Sequence, residues 1–566
     1  MDKRWVVLNK KFDFNEKAAK FHIDPVTARL IRNRDIIADE QIEAYLNAGV
    51  EQLGDPQQMK DMERATELIR EKIRQQKKIR IIGDYDIDGV VSTYILVTGL
   101  KQLGALADTL LPDRVADGYG ISLSMVEQAV QDGIDTIITC DNGIAAFEEI
   151  ELAKDAGMTV VVTDHHEVPQ LAGEDRLVAA DAIVNPKQSA CGYPFKALCG
   201  AVVAYKLIVN LYRAAGLPAA AHEEFLEFAA IATVGDVMDL TGENRILVKE
   251  GLKRLRYTQN AGLKALLAVN ELEDRQISAY HIGFIIGPCI NASGRIDTAR
   301  RSLELFTETD VTKAMDLAHI LLELNVSRKE LTAKGLAQAV ELLDKKQELE
   351  KVLVVYLPDT HESLAGIIAG RLREKYYRPV IVLTKSKEAV KGSGRSIEAY
   401  SMYQALAECA QYFIKFGGHP MAAGMSLEER DIEALRQELN DRCSLTPEEL
   451  MPKVTIDMLL PFAYITEKLV DEFSVLEPFG KGNTKPVFAQ KNVRVTQSKV
   501  LGKHRNLVKM YVTDASQKSL PAVYFGDVPA FLAHLEEQQV SSITYYPSIN
   551  EFRGQKTLEL VITDYM

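Results

Sequence analysis

Between residues 79 and 164 short β-rich runs alternate with stretches of helical spacing, and this alternation constrains the fold more than any other feature of the chain. The pattern predicts strands at 79–82, 108–111, 136–139 and 159–163, with helices at 90–103, 122–131 and 147–156 between them. Strands joined through helices make crossover connections and run parallel. The expected class is therefore α/β, with a doubly wound parallel sheet.

The rest of the 566 residues extends this unit into a multidomain chain. Residues 197–234 and 247–268 have helical spacing. A long amphipathic stretch at 310–346, with Ala314, Leu317, Leu321, Leu324, Leu336, Val340 and Leu343 on its apolar side, suits a helix connecting two domains. A second, smaller α/β unit starts with a strand at 352–356 and ends near Leu427. Beyond the turn-rich Glu477-Pro478-Phe479-Gly480-Lys481-Gly482-Asn483, short strands with Gly and Asn turns predict a small barrel. The expected boundaries are an N-terminal helical segment at 1–70, the first α/β domain at 71–305, the connecting helix at 306–347, the second α/β domain at 348–455 and the barrel at 456–566.

Three of the predicted strands run into acidic or histidine residues. Gly83-Asp84-Tyr85-Asp86-Ile87-Asp88-Gly89 follows the first, Cys140-Asp141-Asn142-Gly143 the third and Asp164-His165-His166 the fourth. In a parallel sheet these carboxyl ends share one edge, where open α/β sheets bind ligands. Val234-Gly235-Asp236 adds another acid if the helix before it packs there. Each aspartate alone is equally suited to capping a helix. Together they crowd carboxylates that repel one another unless cations neutralise them. Oxygen donors with an imidazole favour Mn²⁺ or Mg²⁺ over zinc. Two such ions about 4 Å apart can clamp the attacking and leaving oxygens at phosphorus, so the expected chemistry is metal-assisted hydrolysis of a phosphate ester or anhydride.

Net charge, −13 from 67 Lys+Arg and 80 Asp+Glu, argues at first against an acidic partner such as nucleic acid. The charge is uneven, however. Residues 481–566 hold 11 Lys+Arg against 7 Asp+Glu, a net of +4, which leaves −17 on the remainder. A locally basic barrel beside an acidic, cation-dependent site reconciles the total with a nucleic-acid substrate. The longest uncharged run, 276–294, contains His281, Pro288, Asn291 and three glycines, which suits buried core and loop rather than a membrane span. No apolar h-region follows the N-terminus, and six scattered cysteines without a CxxC pair fit reduced cytoplasmic thiols.

These residues resemble the DHH phosphoesterase superfamily and, within it, the bacterial RecJ family of single-strand-specific exonucleases. The resemblance runs from Ile81 to Met566. Besides the segments above it rests on Gly235-Asp236-Val237-Met238, Gly242-Glu243-Asn244-Arg245, Asn291-Ala292-Ser293-Gly294-Arg295, Lys391-Gly392-Ser393-Gly394-Arg395-Ser396 and Gly417-Gly418-His419-Pro420-Met421-Ala422-Ala423-Gly424. The last two are similar to a DHH-associated domain, and the 477–483 turn to the approach to an OB-fold barrel. It implies that Asp86, Asp88, Asp141, His165 and Asp236 bind two Mn²⁺ or Mg²⁺ ions with Asp84 adjoining, that His166 meets the scissile phosphate and that Asp164 orients the histidines. It further implies degradation of single-stranded DNA from the 5′ end to mononucleotides, in DNA repair and recombination, by a monomer without membrane attachment. A RecQ-type helicase and a single-strand-binding protein are the implied partners, since a single-strand channel needs an unwound end.

For the strand itself the expected phosphate contacts are Arg114, Arg295, Ser393, Arg395, Gly418 and His419, with Asn291 as a further substrate-binding residue; in the barrel Lys503, Arg505, Lys509 and Arg553 are expected to follow the backbone and Tyr546 to stack on a base. Aromatics at alternate strand positions are also ordinary barrel core. Three positions depart from the family pattern: Cys289 where Arg is expected, Asp113 in place of Asn, and a looser His361-Glu362-Ser363-Leu364-Ala365-Gly366. The first would remove a phosphate contact. Two other functions remain compatible with the residues: hydrolysis of short oligonucleotides, cyclic dinucleotides or pyrophosphate, and non-catalytic binding of nucleic acid on the same fold.

Overall fold

Buried on both faces, the central strands of the first sheet are almost continuous runs of Ile, Val and Thr. The computed structural model describes residues 3–566 except 115, 116, 387, 388, 503, 504, 539 and 553 and the Phe552 side chain. The chain divides into two units, residues 54–238 with 250–452 and residues 1–53 with 239–249 and 453–566.

In the first unit β1 (Lys78–Ile82), β2 (Leu106–Leu110), β3 (Thr136–Cys140), β4 (Thr159–Thr163) and β5 (Ala182–Val184) form an all-parallel sheet in the order β2-β1-β3-β4-β5. Strand β5 escapes the sequence reading because three residues carry no period. Helix α1 (Ile87–Gln102) is buried on nearly every side, between the sheet and helices α2 (Gly200–Ala214) and α3 (Leu226–Gly235). A helix apolar all round belongs in a core, and this one carries the motif-bearing loop.

The stretch 276–294 is not a membrane span. It forms a short helix at Ala279–His281, a π-helical turn at Ile282–Ile286 and the start of α4 (Gly287–Ile296). No helix among the described residues is long and apolar enough to cross a membrane. Helix α5 (Val311–Asp344), 34 residues long, begins at the Asp310 cap and packs at one end on Ala261–Val269 and α4, at the other on α6 (Ala365–Tyr376). It thereby joins the first sheet's helices to a second sheet of β6 (Leu353–Tyr356), β7 (Val380–Lys385), β8 (Val390–Arg395), β9 (Phe413–His419) and β10 (Ala422–Leu427). The order there is β9-β10-β8-β7-β6, with only β6 and β7 parallel.

The second unit holds the barrel: β11 (Met458–Leu459), β12 (Phe488–Leu501), β13 (Leu507–Thr513), β14 (Ser519–Phe525), β15 (Ser541–Phe552) and β16 (Gln555–Tyr565). Their order is β11-β12-β13-β14-β16-β15, and pairing of β12 with β15 closes the ring. The helix Val528–Glu537 lies between β14 and β15 in the chain. Residues 1–53 belong with this barrel: Arg4–Val7 pairs in parallel with Lys453–Ile456, and Val26, Leu30 and Ile31 share a core with Phe462, Phe473 and Phe488. All six cysteines are unpaired and buried.

Glu227, in the first turn of α3, is 6% exposed and accepts a hydrogen bond from Thr258 Oγ1 at 2.5 Å. Burial, with a smaller push from the Glu224 carboxylate, raises its carboxyl to about 7, against the Thr258 hydrogen bond and the fields of Arg254 and Lys264. An acid raised in the folded state is protonated there while the unfolded chain has already lost its proton. Stability should therefore fall between about pH 4.5 and 7 and level off above. Glu227→Gln removes this contribution: at pH 8 it should unfold at higher denaturant than wild type, by about 2–3 kcal/mol, with the gain vanishing near pH 4.5. Urea titrations at the two pH values check it; an equal shift at both would contradict the assignment.

Candidate metal centre and substrate cleft

Strand order places β2 and β3 on opposite sides of β1, so the chain leaves in opposite directions and opens a crevice at the carboxyl ends of β1 and β3. Asp84 and Asp141 stand at these ends, and Asn142 ties them by donating from Nδ2 to the carbonyls of Ile82 and Cys140. Asp86 caps α1, its Oδ1 accepting from the N–H groups of Asp88 and Gly89. Asp88 turns instead to the N-terminus of α2, accepting from Gly200 N at 2.6 Å and Ala201 N at 2.8 Å. A helix N-terminus is a favourable neighbour for a carboxylate. Gly200 is required there, because a Cβ would lie 2.7 Å from Asp141 Cβ.

Asp141 has a left-handed backbone, φ 61°, which points its carboxylate into the cluster. His165 Nε2 lies 3.1 Å from Asp141 Oδ1, 3.5 Å from Asp88 Oδ2 and 3.8 Å from Asp236 Oδ2. Asp236 follows the last turn of α3, so that helix does deliver the further acid. The ligand atoms interlock as three sets, each within 4.8 Å: Asp84, Asp86 and Asp141; Asp88, His165 and Asp236; Asp141, His165 and His166.

Electrostatics follow from this crowding. Burial, and then neighbouring carboxylates, raise Asp84 to about 8 and hold Asp86 and Asp141 above the usual carboxylate range. Asp164 goes the other way. Against burial, the hydrogen bond from His166 Nδ1 (2.8 Å) and the N–H groups of His165, His166 and Ile144 hold it at about 2. Burial alone would lower His166, but Asp164 lifts it to about 9; burial lowers His165. Asp84 Oδ2, Asp141 Oδ1 and His165 Nδ1 are buried without a hydrogen-bond partner. Leaving such atoms bare costs several kcal/mol, and hard oxygen donors with imidazole suit Mn²⁺ or Mg²⁺. The donor set therefore fits a divalent ion.

A cleft of about 580 Å³ in the same unit is lined by Arg114, Arg295, Ser393 and Arg395, with Tyr85, Tyr119 and Lys391. Arg114 lies over the Tyr85 ring at 4.5 Å. Arg295 Nη1 donates to Ser363 O, and burial followed by the field of Arg114 lowers its pKa to about 10, so it stays charged at neutral pH. Arg395 donates to Ser393 Oγ and Gly394 O; Gly366 leaves room for it, since a Cβ there would lie 2.7 Å from Arg395 Nη2. Tyr85 and Tyr119 join this cleft to the acidic cluster. Tyr85 stands between Asp84 and Asp86, and Tyr119 Oη donates to Asp141 O at 2.7 Å and lies 3.1 Å from both ring nitrogens of His166.

Other expected contacts lie elsewhere. Asn291 Oδ1 accepts from Ile87 N and helps to hold the start of α1 rather than lining the cleft. Gly418 and His419 sit at the exposed end of the β9–β10 hairpin, where Gly417 alone of the three reaches the cleft. Cys289 is buried, 3.3 Å from Asn325 Nδ2 of α5, so the position faces helices and removes no phosphate contact from the cleft. In the barrel Tyr546 is core, 8% exposed, packed against Phe473 and Phe479 with Lys485 Nζ over its ring. Lys509 is exposed on β13, and Arg505 stands in an exposed turn. Lys503 and Arg553 lie outside the described residues. Sequence reasoning missed Tyr119 and the α2 N-terminus; the run Gly118-Tyr119-Gly120 was the available signal for the first.

Three family models match the chain: the DHH family N-terminal domain over residues 78–233, the DHHA1 domain over 349–445 and the RecJ OB domain over 456–564. The single-stranded-DNA-specific exonuclease RecJ of Bacillus subtilis is 36% identical over 554 residues, covering 96% of this chain and 68% of the relative. RecJ of Escherichia coli is 33% identical over 564 residues, 95% of each. The crystal structure of RecJ with Mn²⁺ from Thermus thermophilus superposes with a TM-score of 0.84 at 27% identity, covering 100% of this chain and 79% of that one. With the acidic crevice at the β1/β3 switch point and the Escherichia coli relative matched along nearly its whole length, the chain belongs to the RecJ family of single-stranded-DNA-specific exonucleases.

Proposed function

We propose that this exonuclease removes mononucleotides from the 5′ end of single-stranded DNA by metal-dependent hydrolysis of the phosphodiester. The observation that carries the reading is the shared wall of Tyr85 and Tyr119, which sets a three-arginine cleft against the carboxylate–imidazole cluster. A terminal phosphate carries nearly twice the charge of an internal phosphodiester, so Arg114, Arg295 and Arg395 favour a strand end. Asp84, Asp86, Asp88, Asp141, His165 and Asp236 would hold two Mn²⁺ or Mg²⁺ ions. Bound there, such ions supply an activated water and polarise the scissile phosphate. His166, kept protonated by Asp164, donates to a phosphate oxygen, and Asp164 fixes its ring. The N–H groups at the α2 N-terminus orient Asp88, and Tyr119 braces His166.

The barrel adds Lys509 and Arg505 as backbone contacts, which act without regard to sequence. A RecQ-type helicase and a single-strand-binding protein supply and hold the unwound strand during repair and recombination in the cytoplasm, where the enzyme works as a monomer. Digestion of 5′- and 3′-labelled single-stranded and duplex DNA with Mn²⁺ tests the reading. Label should leave first as mononucleotide from the 5′-labelled single strand; first release from the 3′ label would overturn the polarity. Arg395→Gln should cut the preference for 5′-phosphoryl over 5′-hydroxyl ends by roughly 10- to 100-fold, the worth of one charge-assisted hydrogen bond.

A further inference from the structure

Strand pairing lays out one wall of the arginine cleft in rows. Ser393 of β8 stands opposite Gly424 of β10, and Gly424 opposite Gly417 of β9; one row further from Arg395, Lys391 pairs with Ser426 and Ser426 with Lys415. Directly paired residues share a face of the sheet, and all six line the cleft. The two rows lie about 7 Å apart along the strands.

The first of these rows is bare except for the Ser393 hydroxyl. Neither glycine has a left-handed backbone, and a Cβ on either would meet nothing within 4 Å. Packing and backbone geometry therefore do not require glycine there, whereas glycine inside a strand often marks the close approach of a ligand. Beyond the bare row, Glu362 Oε1 accepts from Lys391 Nζ at 2.9 Å and holds that lysine in place. Gly366 and Ile367, in the first turn of α6, line the same cleft, and a helix N-terminus favours an anion.

Charge indicates how much anion fits. Among the described residues the cleft is lined by five cations, Arg114, Arg295, Arg395, Lys391 and Lys415, and by one carboxylate, Glu362, a net of +4 in a chain of −13. A terminal monophosphate brings only about −2. A 5′-triphosphate brings one charge on each phosphoryl group and most of a second on the last, about −4.

We propose that the Lys391–Lys415 row is a subsite for the outer phosphates of a strand ending in a 5′-triphosphate, so that the enzyme starts on such ends without prior dephosphorylation. This rests on the 5′-exonuclease reading and extends it past the single phosphate assigned to the arginines. The bare row lets the phosphate chain lie against the strands on its way to the lysines. In the first turnover water adds its hydroxyl to the phosphorus of the first internucleotide linkage, and its proton goes to the 3′ oxygen that leaves. A nucleoside 5′-triphosphate departs, and the shortened strand carries a 5′-monophosphate for the next round.

The test compares first-nucleotide release from oligothymidylates of one length that end in a 5′-triphosphate or a 5′-monophosphate, both with Mn²⁺. Wild type should release intact thymidine triphosphate, with a KM no higher than on the monophosphate strand. In the double variant Lys391→Gln, Lys415→Gln, KM on the triphosphate strand should rise roughly 10- to 100-fold more than on the monophosphate strand, the worth of one or two charge-assisted hydrogen bonds. Lys391→Arg with Lys415→Arg, which keeps both charges, should retain the wild-type ratio. Equal losses on both strands, or an unchanged ratio in the glutamine variant, would overturn the subsite. So would a wild type that digests the monophosphate strand but leaves the triphosphate strand intact or first strips it of pyrophosphate. Failure of the wild type to digest either strand would instead bring down the exonuclease reading itself.

Discussion

Asp141→Asn should lower Mn²⁺-dependent nucleotide release by more than about 100-fold, because even partners that only orient metal ligands are worth about 10- to 100-fold. Asn is the informative substitution. Position 141 needs a left-handed backbone, φ 61°, which Asn tolerates as Asp does and Ala does not. The same change should raise stability in chelator. Asp141 is 2% exposed and surrounded by Asp84, Asp86, Asp88 and Asp236, all of which oppose its ionisation. Replacing it with a neutral amide relieves that repulsion, the usual conflict between site chemistry and stability. Melting then provides a readout independent of turnover: Mn²⁺ at about 100 times its Kd should stabilise wild type by about 2.7 kcal/mol and the variant far less. A variant that melts with Mn²⁺ as wild type does, or that keeps its activity, would remove Asp141 from the metal set.

What was legible in the sequence followed from local periodicity and from the one-edge rule of parallel sheets. The strands ending at Ile82, Cys140 and Thr163 and the acids after them could be placed because period and turn chemistry are local properties. The contribution of Asp236 depended on where α3 packs, and only the tertiary structure supplies that. The same limit explains the errors. Asn291 and Cys289 lie on α4 within a few residues of Arg295, yet one faces the start of α1 and the other faces α5. A helix spreads neighbouring residues over different faces, so motif membership does not establish cleft membership. Tyr546 was chosen for its chemistry, whereas residues 543–547 of β15 are buried without alternation across a register shift at Thr544/Tyr545, and Tyr546 packs against Phe473 and Phe479. Tyr119 had only its two flanking glycines as a local signal; its importance comes from standing where the acidic cluster and the basic cleft meet.

Gly89→Ala should abolish activity and destabilise the protein, whereas Gly370→Ala should stabilise it, although both glycines lie in helices. A Cβ at 89 would sit 2.4 Å from Asp84 N and 2.5 Å from Asp84 O, and neither is a flexible side chain that could move aside. The first turn of α1 would have to lift off the loop after β1. That breaks the cap from Asp86 to the Asp88 and Gly89 N–H groups and separates Asp84 and Asp86 from Asp141. Overpacking costs about 1–3 kcal/mol and a lost cap about 1, against which the helix preference for Ala returns about 1. The net should be a loss of roughly 1–3 kcal/mol in urea unfolding, with nucleotide release down by more than about 100-fold once the cluster is pulled apart. At Gly370, on α6, a Cβ meets nothing within 4 Å, so helix preference acts alone and should add about 0.5–1 kcal/mol with activity unchanged. If Gly89→Ala is as stable and active as Gly370→Ala, the contact between the α1 turn and the Asp84 loop does not hold the metal cluster together, and the close approach of these two backbones would need another explanation.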